Sequence, residues 1–296
     1  MVSANPKDDL RQLVRKELAT PVDPQITDLA QAIAERHQEA SRAVLFYGSC
    51  LRENRLQGLM LDFYLIVSDY PSAYSKRWLA TANRLIPPNV FYFEHGGLVS
   101  KYAILSVADF CHEYSPEAWT VSTAARFAQP SRLPWASNAA QVEQILDIVS
   151  KATPTLLGWS LSLRPKEGGR LALWKRAFEL TFGSELRAER SDRSTRIVEA
   201  DPQRYETFAR AAEPLVDHWG AEGARWWRNK QRKGKFYSVL RLAKASFTFA
   251  GGADYIAWKI NRHSGTNIRL RPWQRRHPLL AAISLLPRLL KSGAVR

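Results

Sequence analysis

The sequence is poor in the residues that build secreted, zinc-bound or membrane-spanning chains. Its 296 residues include two cysteines, Cys50 and Cys111, too few for a disulfide framework or a four-cysteine zinc site. The six histidines (His37, His95, His112, His218, His263 and His277) lack the short spacings of a zinc site. No run of ~18 uncharged apolar residues occurs, the length a bilayer-spanning helix needs. The opening MVSANPKDDL carries acids where a leader needs an apolar run. These absences predict a cytoplasmic chain. A composition of 45% hydrophobic and 24% charged residues is that of a globular protein and excludes wholesale disorder.

Acid is the last thing missing, and only from one end. Residues 221–296 hold seventeen Lys/Arg against two acids, Glu222 and Asp254, which accounts for the whole net charge of +15. Upstream the charges cancel. Such asymmetry points to a polyanionic partner for the C-terminal part, an anionic membrane surface or a nucleic acid. Arg225, Trp226, Trp227 and Arg228, with the basic run after them, mix aromatics with bases and suit either partner. In the last segment Leu279, Leu280, Ile283, Leu286 and Leu290 fall at helical spacing, bordered by Arg275, Arg276, Arg288, Lys291 and Arg296. That pattern suits a helix lying in a membrane interface, with Pro287 kinking it.

Periodicity orders the rest. A helix is expected over 26–38, strands over 43–49 and 59–68, a polar loop between them, and a helix over 72–86 ended by Pro87-Pro88. Two more strands flank Gly96-Gly97. Helical patterns then occupy 139–152, 172–182, 203–219 and 235–250, with a loop at 164–170. The sum is an α+β chain: a mixed sheet with helices over 1–134, a mainly helical part over 135–274, and a basic amphipathic helix over 275–296. The first boundary is placed in 130–137, where prolines and polar residues break the periodicity.

Chemistry concentrates in 46–67. One hydrophobic strand runs into Gly48-Ser49, and a second carries Asp62 in its middle. A carboxylate inside an apolar strand is costly unless paired or metal-bound. Glycine lets the backbone approach a phosphate with no side chain between. The neighbouring N–H groups and the Ser49 hydroxyl can bond phosphate oxygens, and Asp62 can hold Mg2+ jointly with them.

A Gly-Ser after a strand, followed twelve residues later by an aspartate in a hydrophobic strand, resembles the nucleotidyltransferase superfamily of the polymerase-β type. Most of that superfamily has a second acid two positions on, where this chain has Tyr64. One branch lacks it in the same way, the mitochondrial-type CDP-diacylglycerol synthases (translocator assembly and maintenance phosphatidate cytidylyltransferases). The segment YGSCLRENRLQGLMLDFYLIVSD (47–69) resembles their YGS-to-aspartate stretch. SKYAILSVADF (100–110), Arg126 in TAARFAQP, LTFGSELR (180–187) and KASFTFAGG (244–252) are similar to later elements of that family, in the same order.

The resemblance implies a nucleotidyltransferase domain, a winged-helix-like helical domain and a C-terminal amphipathic helix. It implies a Mg2+-dependent reaction of CTP with phosphatidic acid at a membrane, giving CDP-diacylglycerol and pyrophosphate. Tyr47, Gly48 and Ser49 are then expected at the nucleotide phosphates, and Asp62 at the metal. Lys101, Arg126, Arg187 and Lys244 are expected on CTP or lipid phosphate. Glu94 is the nearest candidate for a further metal ligand. The alternatives are a nucleotidyltransferase acting on RNA or a small alcohol, and a non-catalytic module that grips membrane or nucleic acid through its basic tail. Nucleic acid is the less favoured partner.

Overall fold

The computed structural model describes residues 6–53, 56, 59–185, 192–216, 223–248, 261 and 269–276. Within these, a five-stranded mixed sheet carries helices on both faces, an α+β architecture. Its strands are β1 (Ser41–Tyr47), β2 (Met60–Val67), β3 (Asn89–His95), β4 (Leu98–Ser106) and β5 (Ser131–Ala136), in the order β3-β4-β2-β1-β5. β2 is central, antiparallel to β1 and parallel to β4; β3–β4 and β1–β5 are antiparallel.

Alternation along the strands assigns their side chains to two cores, since successive residues point to opposite faces. Val44, Phe46, Leu61, Phe63, Leu65, Tyr102 and Ile104 face one way. They are covered by α2 (Pro24–Glu35), whose Ile26, Leu29, Ala30, Ile33 and Ala34 are buried, and by α4 (Tyr70–Ala73) and α5 (Arg77–Leu85). Pro24 in the first turn and the Asp23 carboxylate, accepting from the Gln25 N–H, fix where α2 begins.

Ala43, Leu45, Tyr64, Ile66, Ala103 and Leu105 face the other way, into one continuous core with the helical part of the chain. That cover includes α1 (Pro6–Leu18), α7 (Ser122–Phe127), α8 (Ala139–Val149), α9 (Ala152–Ser160), α10 (Gly169–Phe182) and α12 (Pro202–Ala212). α3 (Cys50–Glu53), α6 (Val107–His112) and α11 (Arg193–Glu199) are short connecting helices. Trp174 and Trp227 are fully buried and donate their indole N–H groups to the carbonyls of Tyr205 and Trp159, each at 2.8 Å.

The long α13 (Gly223–Thr248) crosses this second layer. A Cβ on Gly234 would lie 2.4 Å from the Ser184 carbonyl oxygen, so only glycine lets the helix sit this close to the end of α10. Trp227, Lys230 and Gly234 form its buried stripe.

Residues 131–136, expected to interrupt the structure, form edge strand β5 along β1. Pro134 is compatible with that place because an edge strand can leave one side of its ladder unpaired. The loop expected at 50–58 begins instead with the helical turn α3. α1 was not expected at all. The terminal helix predicted over 275–296 lies outside the described residues, apart from a short turn at Pro272–Arg276.

Candidate active site

The site grows out of the register of three strands. Tyr47 ends β1 opposite Asp62 on β2, and Asp62 is in turn opposite Lys101 on β4. All three side chains therefore point to the face covered by the helical part. Asp62 Oδ1 lies 3.0 Å from Lys101 Nζ, with both side chains about a quarter exposed or less (20% and 28%). Immediately past β1 the chain turns at Gly48, whose φ is +101°, outside the range that residues with a Cβ favour. A Cβ there would stand 3.0 Å from Asp62 Oδ2. The missing side chain thus keeps the second carboxylate oxygen open to whatever approaches the turn. Ser49 follows on the same turn.

α7 delivers Arg126 into this corner. Its Nη1 donates to the Tyr64 hydroxyl at 2.7 Å, and its Nη2 lies 3.7 Å from Glu185 Oε1. Glu185 also accepts from the Ser122 hydroxyl. Burial works against the Arg126 charge, but Tyr64, Tyr47, Glu185 and Asp62 around it outweigh that and hold its pKa well above the ordinary value. The Tyr47 hydroxyl is likewise pushed up, first by burial and then by the Asp62 charge, so it stays a neutral donor. Its ring is fixed against Tyr64 and Phe127, at centroid distances of 5.4 and 5.9 Å.

Tyr47, Gly48, Asp62, Lys101 and Arg126 are therefore brought together. Glu94 is not. It lies on β3 opposite Val99, whereas Lys101 is opposite Tyr92, so it stands two strands from Asp62 and two residues further along. At about 4.8 Å per strand the two carboxylates are not set to share an ion, and Glu94 accepts instead from the Tyr92 hydroxyl. Lys244 is elsewhere too: its ammonium donates to the carbonyls of Pro88, at 2.9 Å, and Ile86. A phosphate would have to displace those bonds to reach it. Arg187 lies outside the described residues.

Two participants escaped the sequence reading. Glu185, left without a role there, closes on Arg126 from 59 positions away in the chain, through a turn after α10 that no periodicity announces. Glu113 is fully buried, accepts from Thr123 at 2.7 Å and Thr120 at 3.4 Å, and has its pKa raised by burial despite the nearby Arg241 and Arg126. Thr123 belongs to α7, so Glu113 steadies the helix that carries Arg126.

Among the described residues no group of three or more Asp, Glu, His or Cys side chains could hold a metal ion by itself. A single carboxylate fits Mg2+ when substrate phosphate oxygens and water complete its octahedron, the usual way this ion is held. The open Oδ2 of Asp62 beside a glycine turn meets that requirement.

No family model and no curated protein matches this chain. Among solved structures, it is similar to a nucleotidyltransferase-like protein from Exiguobacterium sibiricum, with 10% identity and a TM-score of 0.29 over 90% of this chain and 92% of that one. What the site can do follows from its own geometry. An anion entering over Gly48 meets a neutral phenol, a lysine and an arginine, with one carboxylate available to a cation travelling with it. A metal-bound polyphosphate satisfies all four.

Proposed function

We propose that the chain is a nucleotidyltransferase that binds a Mg2+–nucleoside triphosphate at Gly48, Ser49 and Asp62. In this reading it transfers the nucleotidyl group to a phosphate acceptor. The finer reading, from the resemblance carried by residues 47–69 and 100–110, is a phosphatidate cytidylyltransferase making CDP-diacylglycerol from CTP and phosphatidic acid. The observation that carries the proposal is the glycine turn set directly against Asp62, where a Cβ on Gly48 would stand 3.0 Å from Oδ2, with the Lys101 ammonium on the other carboxylate oxygen.

The residues divide the work as follows. The Gly48 turn and Ser49 bond the β- and γ-phosphates. Asp62 holds Mg2+, which neutralises phosphate charge when bound. Lys101, already on Asp62, offsets the repulsion between two anionic reactants. Arg126, steadied by Tyr64 and Glu185, presents its remaining N–H groups to phosphate oxygens. A lipid phosphate oxygen attacks the α-phosphorus, the bond from that phosphorus to the bridging oxygen of the β-phosphate breaks, and pyrophosphate carries away the electron pair. Positioning and charge complementarity supply the acceleration.

The test is incubation of the full chain with labelled CTP, Mg2+ and phosphatidic acid. Labelled CDP-diacylglycerol is expected, and Asp62→Asn is expected to reduce it by at least a hundredfold (an oxyanion-scale loss of ~3 kcal/mol) with an unchanged melting curve. Label on RNA or on a small alcohol, with none on lipid, would move the acceptor assignment. Full activity in Asp62→Asn would end the transferase reading.

A further inference from the structure

The outer side of α13 has no role in the site above. The helix is seated by Trp227, Lys230 and Gly234, which are buried, and by Arg241 and Lys244, which donate to the carbonyls at residues 86–88. Diametrically opposite, Arg225, Arg228, Arg232, Lys235 and Val239 follow one another at helical spacing, and all are exposed. Phe236 flanks them, also exposed, and Lys233, exposed as well, lies further round toward the seated side. α13 contains eight bases, Arg225, Arg228, Lys230, Arg232, Lys233, Lys235, Arg241 and Lys244, and not one acid. Among the described residues, none of the five exposed bases has a carboxylate partner.

The stripe does not end in charge. Phe236 is 61% exposed and Val239 52%, among the most exposed large apolar side chains described. From Arg225 to Val239 a straight helix extends about 21 Å, so bases and apolar tips lie along one line on one side of the molecule.

We infer that this face of α13 docks on an anionic lipid bilayer. A planar negative surface complements the four aligned bases, and the interface below its headgroups accepts Phe236 and Val239. A nucleic-acid backbone would satisfy the bases but gives Val239 nothing to bury against. The occupant is a membrane surface rather than one lipid molecule, so the inference stands apart from the choice of acceptor in the transfer reaction. It also differs from anchoring by the terminal segment, because it assigns the contact to a helix whose opposite side packs against the end of α10, next to Glu185.

The experiment is co-sedimentation of the full chain, without nucleotide, with phosphatidylcholine vesicles containing or lacking phosphatidylglycerol. Each base near an anionic surface is worth about fivefold in affinity. The triple variant Arg228→Ala, Arg232→Ala, Lys235→Ala is therefore expected to bind the anionic vesicles about a hundredfold more weakly. The double variant Phe236→Ser, Val239→Ser is expected to weaken binding while keeping its salt dependence. Every altered side chain is exposed, so the melting curves should match wild type. Wild-type vesicle affinity in both variants overturns the inference, as does a wild-type chain that ignores anionic vesicles. So does a triple variant that loses affinity only for single-stranded RNA. Transfer to a soluble short-chain phosphatidic acid is measured separately, so failure of docking and failure of the transferase reading are told apart.

Discussion

At the scale of single residues, the site depends on a side chain that is missing. Gly48 adopts a φ of +101° and leaves 3.0 Å between a would-be Cβ and Asp62 Oδ2. Gly48→Ala therefore meets two obstacles, a backbone conformation costing ~1–2 kcal/mol for a residue with a Cβ and an intrusion on the one open carboxylate oxygen. The expected outcome is a loss of about 1–2 kcal/mol in urea denaturation, together with loss of nucleotide binding by calorimetry. A variant that binds nucleotide as wild type does would show that nothing approaches Asp62 past this turn. This corner was legible in the sequence because strand alternation and the distance from Ser49 to Asp62 are local properties. Tyr64 was legible only as an acid that is absent. That its hydroxyl holds Arg126, with Glu185 behind, depends on how a turn of the helical part folds back over the sheet, which no local pattern encodes.

At the scale of elements, the least legible piece is the one that ties the layers together. α1 has the sequence PKDDLRQLVRKEL, and its only steady apolar stripe is Leu10, Val14 and Leu18, all buried. Three residues among so many charges are a weak helical signal. The charges themselves do the fastening. Arg11 and Arg15 both reach Glu143 on α8, and Arg204 on α12 closes on Glu17, with Nε–Oε2 at 2.5 Å. The Glu143 side chain is nearly half exposed, and its pairs are worth little each. Glu17 and Arg204 have side chains only 15% and 8% exposed, so removing one strands the other. Glu17→Ala is expected to lower stability by ~3 kcal/mol or more in chemical denaturation, while transfer activity per folded molecule stays at wild type, because nothing in the pair touches the site. A loss under ~1 kcal/mol would mean that solvent reaches Arg204 easily. β5 was obscured for a related reason. Its edge position tolerates Pro134, so the residue that ordinarily argues against a strand marks here which strand is outermost.

At the scale of the molecule, α13 is the beam between the two layers, and its buried stripe is cationic. Burial, followed by Arg241, lowers the Lys244 pKa to about 7. Burial, followed by Lys233, lowers that of Lys230 to about 8. Lys230 is held by the carbonyls of Pro116, at 2.9 Å, and Ala118, and Lys244 by those of Ile86 and Pro88. In the unfolded chain both return to the ordinary lysine value near 10.5. Between these limits the unfolded chain binds more protons than the folded one, so stability rises with pH from about 7 to about 10. Below about 7 both lysines are charged in either state, and the cost of burying them no longer changes. Lys244→Met removes one of the two titrations. Its gain in stability between about pH 7 and about pH 10 should be smaller than that of wild type by roughly 2 kcal/mol, half the full shift, because the side chain is partly exposed. Urea denaturation of both proteins at the two pH values measures this difference directly. Parallel stability profiles would mean that the Lys244 ammonium remains charged throughout, held by the carbonyls at 86 and 88 more strongly than burial opposes it. The beam would then be fastened to the sheet by a permanent cation, and alkaline pH would not strengthen it at this end.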